Sequence, residues 1–430
     1  MAHPRSTFWP TAIAPLLLLL LMIPRPAQAV PAFARKFGVK CYTCHTIPPA
    51  LNKNGYTFKR LGYRMPPEEM DASRSVPKVK DLDKAIRFNV MNSLAVVGQG
   101  SFSQERTQGE GAAAVSHSKF NLDEVAVFAA GAVPASGFSY FTQLDLSQDG
   151  GTPFLEQAVF SYTAGRANRS YFVKAGQMHV QEGEGTRAAM FYNLFPEPAP
   201  LLTASSPVNF SLDQHPLAVA AGYTWASSYF KRVFAITAKV NNGLRPDGSE
   251  LLYHSARNTT NLWLDADYWF GPDGGVTFMT YYGKKDQLQN QGESGGFTFR
   301  PTLRRYGLFA NYLFFDKLDL LGGYLRSDDD WQAAPAARLT RFTSDGFRAE
   351  ADYYIQRGFA VMARYDRMNQ TLAGAPAQPT AAWNLGVSKA LTARGNVLAR
   401  ASYGRDRLQD PEDGAVTTSR LFKLDLRLMW

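Results

Sequence analysis

From about residue 84 to the end of the chain, hydrophobic positions recur with a period of two, the period of a strand with one apolar face. The final stretch shows it cleanly: Phe422, Leu424, Leu426, Leu428 and Trp430 fall on one face, and Lys423, Asp425 and Arg427 on the other. The same alternation sets Leu262, Leu264, Ala266, Tyr268 and Phe270 against Asp265 and Asp267. It recurs as Phe347, Ala349, Ala351, Tyr353 and Ile355 against Arg348, Glu350 and Asp352, and as Phe359, Val361, Ala363 and Tyr365 against Arg364 and Asp366. The pattern predicts sixteen strands, starting near residues 85, 118, 137, 154, 170, 217, 230, 258, 275, 300, 317, 344, 358, 380, 394 and 417.

The predicted connections alternate in length. Short turns fall at 133–136, 164–169, 271–274, 315–317, 356–358 and 392–395, and longer polar loops at 98–117, 241–257, 284–299 and 326–344. A soluble sandwich also alternates, with its apolar face turned to a core. The even strand count and the short–long rhythm favour a membrane barrel, and Trp430 stands where such barrels end on an aromatic residue. The fold class expected is therefore all-β: a transmembrane barrel of about 16 antiparallel strands over residues 84–430. The longest connection, 180–216, carries Pro196, Pro198, Pro200 and Pro207; either an inward fold that narrows the lumen or a solvated external loop fits it. Inward-facing charges are mixed: Asp123, Asp145, Glu156, Asp265, Asp267, Glu350 and Asp352 against Arg348, Arg364, Arg400 and Arg427. They fit a wet pore, a carboxylate anchor for a basic segment, or oxygen ligands for a divalent cation.

Composition narrows the class further. Of 430 residues, 45% are hydrophobic, 19% are charged and only two are Cys, which excludes a disordered chain or a disulfide scaffold. A mean hydropathy of −0.25 is too polar for a helical membrane protein but suits a barrel, whose strands give half their residues to lipid. The formal charge of +9 is concentrated near the N-terminus. Residues 30–67 hold Arg35, Lys36, Lys40, Lys53, Lys59, Arg60 and Arg64 with no acid, whereas residues 68–430 sum to zero. No nucleic-acid-binding surface is expected. Arg5, the apolar run Ala14–Ile23 and then Ala27-Gln28-Ala29 read as a cleaved signal over 1–29, too short to span a bilayer. Residues 68–83 are polar and Pro-containing and read as a linker.

The two cysteines stand as Cys41-Tyr42-Thr43-Cys44-His45, the attachment pattern of c-type haem. Each thiol of such a motif adds to one haem vinyl group, and the histidine is the proximal iron ligand. One covalently attached haem is therefore expected, held by a segment over 30–67. For the distal position Met65 is the choice. Met70, the histidines His117, His179, His215 and His254, and an open site are the alternatives. A segment of this length rarely builds its own core, so its aromatic residues need the barrel as a second wall.

With motif and barrel together, the chain resembles the fused monohaem cytochrome–porins of the bacterial outer membrane. The resemblance rests on Pro31-Ala32-Phe33-Ala34-Arg35, Cys41, Cys44, His45, Pro49, Leu51, Gly55, Phe58, Lys59 and Gly62-Tyr63; the barrel is similar in architecture and length. Asn54-Gly55-Tyr56 stands where that family's iron oxidases commonly have Phe-Gly-Arg. The resemblance implies covalent haem on Cys41 and Cys44, His45 as its ligand, and residence in the outer membrane of a Gram-negative bacterium. It also implies extracellular Fe(II) or another one-electron donor as partner, with a periplasmic cytochrome or similar carrier as acceptor. The alternatives are electron export to an external acceptor, and a solute channel whose haem is structural or gating.

Overall fold

The computed structural model describes residues 33–34, 39–48, 50–63, 93–132, 137–148, 153–166, 168–179, 194–195, 215–227, 232–242, 260–270, 274–284, 287–289, 297–299, 302–331, 340–372, 378–392, 395–409 and 416–429. The leader expected at 1–29, the linker expected at 68–83, Met65, Met70, His254 and Trp430 lie outside the described residues.

A 3₁₀ turn (Cys41–Thr43), a ribbon of β1 (His45–Ile47) and β2 (Ala50–Leu51), and helix α1 (Lys53–Arg60) come first. Then run β3 (Leu94–Gly109), β4 (Val115–Ala132), β5 (Phe138–Gln148), β6 (Phe154–Arg166), β7 (Arg169–Gln177), β8 (Leu217–Ala226), β9 (Val233–Asn242), β10 (Thr260–Phe270) and β11 (Gly274–Lys284). A small hairpin of β12 (Gln287–Gln289) and β13 (Phe297–Phe299) precedes β14 (Thr302–Phe314), β15 (Leu318–Trp331) and β16 (Thr340–Gln356). The chain finishes with β17 (Phe359–Leu372), β18 (Gln378–Ala390), β19 (Val397–Gln409) and β20 (Val416–Met429). Apart from the β12–β13 hairpin, the strands from β3 onward form one closed antiparallel barrel of sixteen, the number the alternation predicts. β20 returns to β3 with Met429 opposite Val97 and Thr417 opposite Gly109, so the ring has no open edge.

Closure satisfies every strand's backbone within the ring, which is what a bilayer core demands. The outward face supplies the matching apolar surface: Phe160, Leu308, Phe347, Tyr353 and Leu385 are exposed there, and their strand neighbours Ser161, Arg348, Asp352 and Asn384 are buried toward the lumen. Aromatic rings gather near the short turns, where Phe138 packs tilted against Tyr162 and Tyr312 meets Phe314 edge-on, as in the girdles of outer-membrane barrels. The protein is thus an outer-membrane β-barrel.

Two expected loops are largely strand. The stretch 98–117 is β3 running to Gly109, a turn, and β4 resuming at Val115; within 326–344, residues 326–331 and 340–344 are the paired ends of β15 and β16. These ends reach beyond the apolar belt, where both faces meet water and the alternation fades. At the other end the first strand, expected near residue 85, is described from Leu94.

Charges predicted to face inward do so, and several pair: Arg348 meets Glu350, Arg364 lies 3.0 Å from Asp366 and Arg400 2.7 Å from Asp425. Arg305 and Asp329, which were not among them, also pair. The lumen wall is electrostatically self-compensated over much of its circumference.

Candidate functional site

The segment carrying Cys41, Cys44 and His45 lies inside the barrel, at the end with the short turns. Its own fold is small but tightly tied. Thr43 N–H donates to the Lys40 carbonyl (3.0 Å) and Cys44 N–H to the Cys41 carbonyl (3.1 Å), which closes the turn between the thiols. Asn52 then joins this turn to α1. Its side-chain oxygen accepts from Gly55 N–H (3.1 Å) as the helix N-cap, and its amide donates to the Tyr42 and Thr43 carbonyls (3.4 and 3.3 Å). One side chain thereby caps a helix and fixes the cysteine loop.

Gly55 is where α1 crosses closest to the motif. A Cβ there would overlap the Cys44 carbonyl oxygen and come within 2.8 Å of Leu51 Cδ2. Gly55→Val should therefore displace α1 from the cysteine turn. The expected result is reduced haem incorporation with the barrel intact, read as pyridine-haemochrome absorbance per folded barrel. At its other end α1 stops on Gly62 (φ 64°) and Tyr63 (φ 59°). Gly62 N–H donates to Lys59 O and Tyr63 N–H to Phe58 O (3.2 and 2.9 Å), a Schellman cap that explains the Gly-Tyr pair.

Docking to the wall uses three arcs of the ring. Tyr56 and Leu61 pack with Ala226, Val233 and Trp269 of β8, β9 and β10, with the Tyr56 and Trp269 rings 4.8 Å apart. Ile47 and Ala50 pack on the nearly opposite arc against Ala360, Met362 and Leu398 of β17 and β19. Tyr63 stacks on Phe33 (5.0 Å) and reaches Phe141 of β5 (6.0 Å). The segment therefore bridges the lumen from wall to wall. Tyr42 fits beside Gly358 (φ +78°) and Gly395 (φ +80°) in two short turns, where a side chain in place of either hydrogen would crowd its ring, and the Arg357 guanidinium lies 5.3 Å from that ring. Burial pushes its phenol above the ordinary tyrosine range, so it stays a neutral anchor.

One ion pair dominates. Arg60 of α1 bonds Asp267 of β10, with both side chains out of solvent, and Thr277 donates to the same carboxylate (2.7 Å). This is the carboxylate anchor for the basic segment that the inward charges suggested. Two described residues of the long connection reach the segment: Leu194 and Phe195 are buried on Ile47 and Ala50, and Arg364 sits 4.8 Å over the Phe195 ring.

Cys41 opens a 3₁₀ turn and Cys44 caps it, with His45 next in line on β1. Two thiols and an imidazole on a braced turn are the donor set that c-type attachment needs, so the residues fit the group. Among the distal alternatives, His117 is exposed on β4, and His179 and His215 lie together beside Glu156.

The barrel is porin-like. It is similar to the outer membrane channel DcaP of Acinetobacter baumannii, with a TM-score of 0.52 and 10% identity over 78% of this chain and 96% of that one. It is equally similar to the anion-selective porin from Comamonas acidovorans (0.52, 10%, 78% and 98%). A loop-deletion mutant of OmpT from Vibrio cholerae gives 0.51 at 14% identity over 78% and 99%. These likenesses concern the fold. No protein-family model and no curated protein matches the sequence.

Sequence reasoning located the cysteine turn and the barrel but not how they join. Arg60 and Asp267 are 207 positions apart, and neither stands out among similar charges. Asn52 was legible in principle, since an Asn before a helical run is a common N-cap.

Proposed function

We propose that the chain is an outer-membrane monohaem cytochrome–porin that moves electrons across the outer membrane, oxidising extracellular Fe(II) and passing the electrons to a periplasmic carrier. The observation that carries this reading is the placement of the Cys41–His45 turn within the lumen, braced by Asn52 and clamped to both sides of the wall. A covalently attached haem on Cys41 and Cys44, ligated by His45, supplies one-electron redox chemistry. The chain's own residues do the rest. The closed wall separates the segment from lipid, Asp267 compensates Arg60, and the aromatic contacts of Tyr56, Tyr63 and Phe33 keep water from the segment's flank. No acid–base or nucleophilic machinery is required, because an outer-sphere electron transfer makes and breaks no bond. Met65 is proposed as the distal ligand.

A second reading, a solute channel with a structural or gating haem, is favoured by the porin-like barrel. The lumen-bridging segment weighs against it. Electron export to an external acceptor uses the same parts in reverse, and the potential separates the two directions.

The test is a potentiometric titration of the purified protein in detergent, followed by anaerobic mixing with Fe(II). A potential at or above that of the iron couple, with rapid haem reduction, is expected. A strongly negative potential with no reaction would overturn the iron-oxidase reading in favour of export or of the channel.

A further inference from the structure

On the outer half of the lumen, away from the cysteine turn, three metal-ligating side chains converge. We propose that Glu156, His179 and His215 form a binding site for a divalent first-row transition-metal ion. The His179 and His215 Nε2 atoms are 3.2 Å apart, and Glu156 Oε1 lies 3.3 Å from His215 Nε2 and 3.7 Å from His179 Nε2. The point equidistant from these atoms is about 2.0 Å from each, which matches the bond lengths of zinc to imidazole and carboxylate (~2.0–2.2 Å). A hydrogen bond satisfies these atoms one pair at a time, whereas an ion at their centre satisfies all three. Two imidazoles and one carboxylate around a point in their plane leave the positions on either side open, and this donor set suits Fe(II) or Zn(II) better than Mg(II) or Ca(II).

The backbone is shaped for this convergence. Gln143 pairs with Gln157 and Leu144 with Leu155, so Glu156 is the extra residue of a β-bulge. A bulge re-aims a side chain, and here it turns Glu156 into the lumen. His179 and His215 flank the 180–214 connection and are held together at its base by the Met178 N–H bond to the Pro216 carbonyl (3.2 Å). Support comes from behind: Gln143 donates to both Glu156 and Asp145, and Lys239 donates to the His179 carbonyl. The same connection delivers Leu194 and Phe195 to Ile47 and Ala50, so an ion here would staple the base of the loop that packs on the cysteine segment. Binding is independent of the electron-transfer reading; service as the loading station for Fe(II) rests on it.

The test uses the full holoprotein in detergent, stripped with a chelator and titrated with Zn(II) by calorimetry. One zinc per barrel is expected for the wild type and for His117→Ala. Affinity about tenfold or more weaker is expected for His179→Ala/His215→Ala and for Glu156→Gln, the latter preserving side-chain shape. Heat-modifiable migration in gels verifies that each variant barrel is folded. No stoichiometric zinc in the wild type, or wild-type affinity in Glu156→Gln or in the double variant, overturns the site. Anaerobic mixing with limiting Fe(II) then separates the two ideas. Slower haem reduction in Glu156→Gln supports the loading role, and an unchanged rate overturns that role. A wild-type haem that ignores Fe(II) defeats the proposed function, with the zinc titration still deciding the metal site.

Discussion

Asp267→Ala should release the N-terminal segment from the barrel and raise the ion conductance of the reconstituted protein. Arg60 and Asp267 are both buried, and their bond joins α1 to the wall at β10. Removing one member of a buried pair leaves the other charge without compensation, at a cost on the order of 3–5 kcal/mol. The neighbouring aromatic contact of Tyr56 with Trp269 contributes about 0.5–1.5 kcal/mol beyond its buried area, too little to hold the guanidinium in place. The barrel itself should persist, because its strands pair with one another all the way round. Planar-bilayer recordings check this: larger single-channel currents than wild type are expected, with faster tryptic cleavage at Lys53 or Lys59. Arg60→Met/Asp267→Leu should recover much of the wild-type behaviour, since an apolar pair of similar size leaves no buried charge. Wild-type currents and cleavage in Asp267→Ala would show that the segment is not clamped by this pair.

How far the sequence revealed the molecule depended on whether a residue's role was local. Strands could be counted wherever one face met lipid and the other the lumen, as in Phe347 through Ile355, because lipid and lumen demand opposite polarity at successive positions. Where strands pass beyond the belt, as at Gln104–Gly109, both faces are polar and the period vanishes, so real pairing looked like loop. The cysteine turn was legible because the thiol addition and iron ligation proposed for it need a fixed local spacing. Its docking was not. Ile47 meets Ala360, Tyr56 meets Trp269 and Arg60 meets Asp267, contacts formed only once the ring has closed. The Glu156, His179 and His215 cluster was hidden for a related reason: Glu156 was expected to face inward, but the two histidines that meet it are 36 positions apart and only the closed ring brings them beside β6. Their position at either end of the longest connection was the available clue.

Cys41→Ser/Cys44→Ser should abolish covalent haem while leaving a folded barrel. Cys41 opens the 3₁₀ turn and Cys44 caps it, and the turn's shape is set by backbone bonds and by Asn52 rather than by sulfur. Serine preserves that turn but cannot form the thioether, so the loss should be chemical and not structural. In-gel haem staining after denaturation is expected to be positive for the wild type and blank for the double variant, with equal heat-modifiable migration of the two barrels. His45→Ala provides the complementary result. It keeps both thiols, so the stain should remain, but it removes the proximal imidazole and should alter the absorption spectrum and the potential. Conductance adds a constraint independent of haem. Ile47, Ala50, Tyr56 and Arg60 bind the wall through their own side chains, so currents through the serine variant should stay near wild type. Staining that survives the double substitution would defeat the attachment assignment. Currents that rise on haem loss alone would instead make the prosthetic group, not the protein segment, the element that closes the lumen.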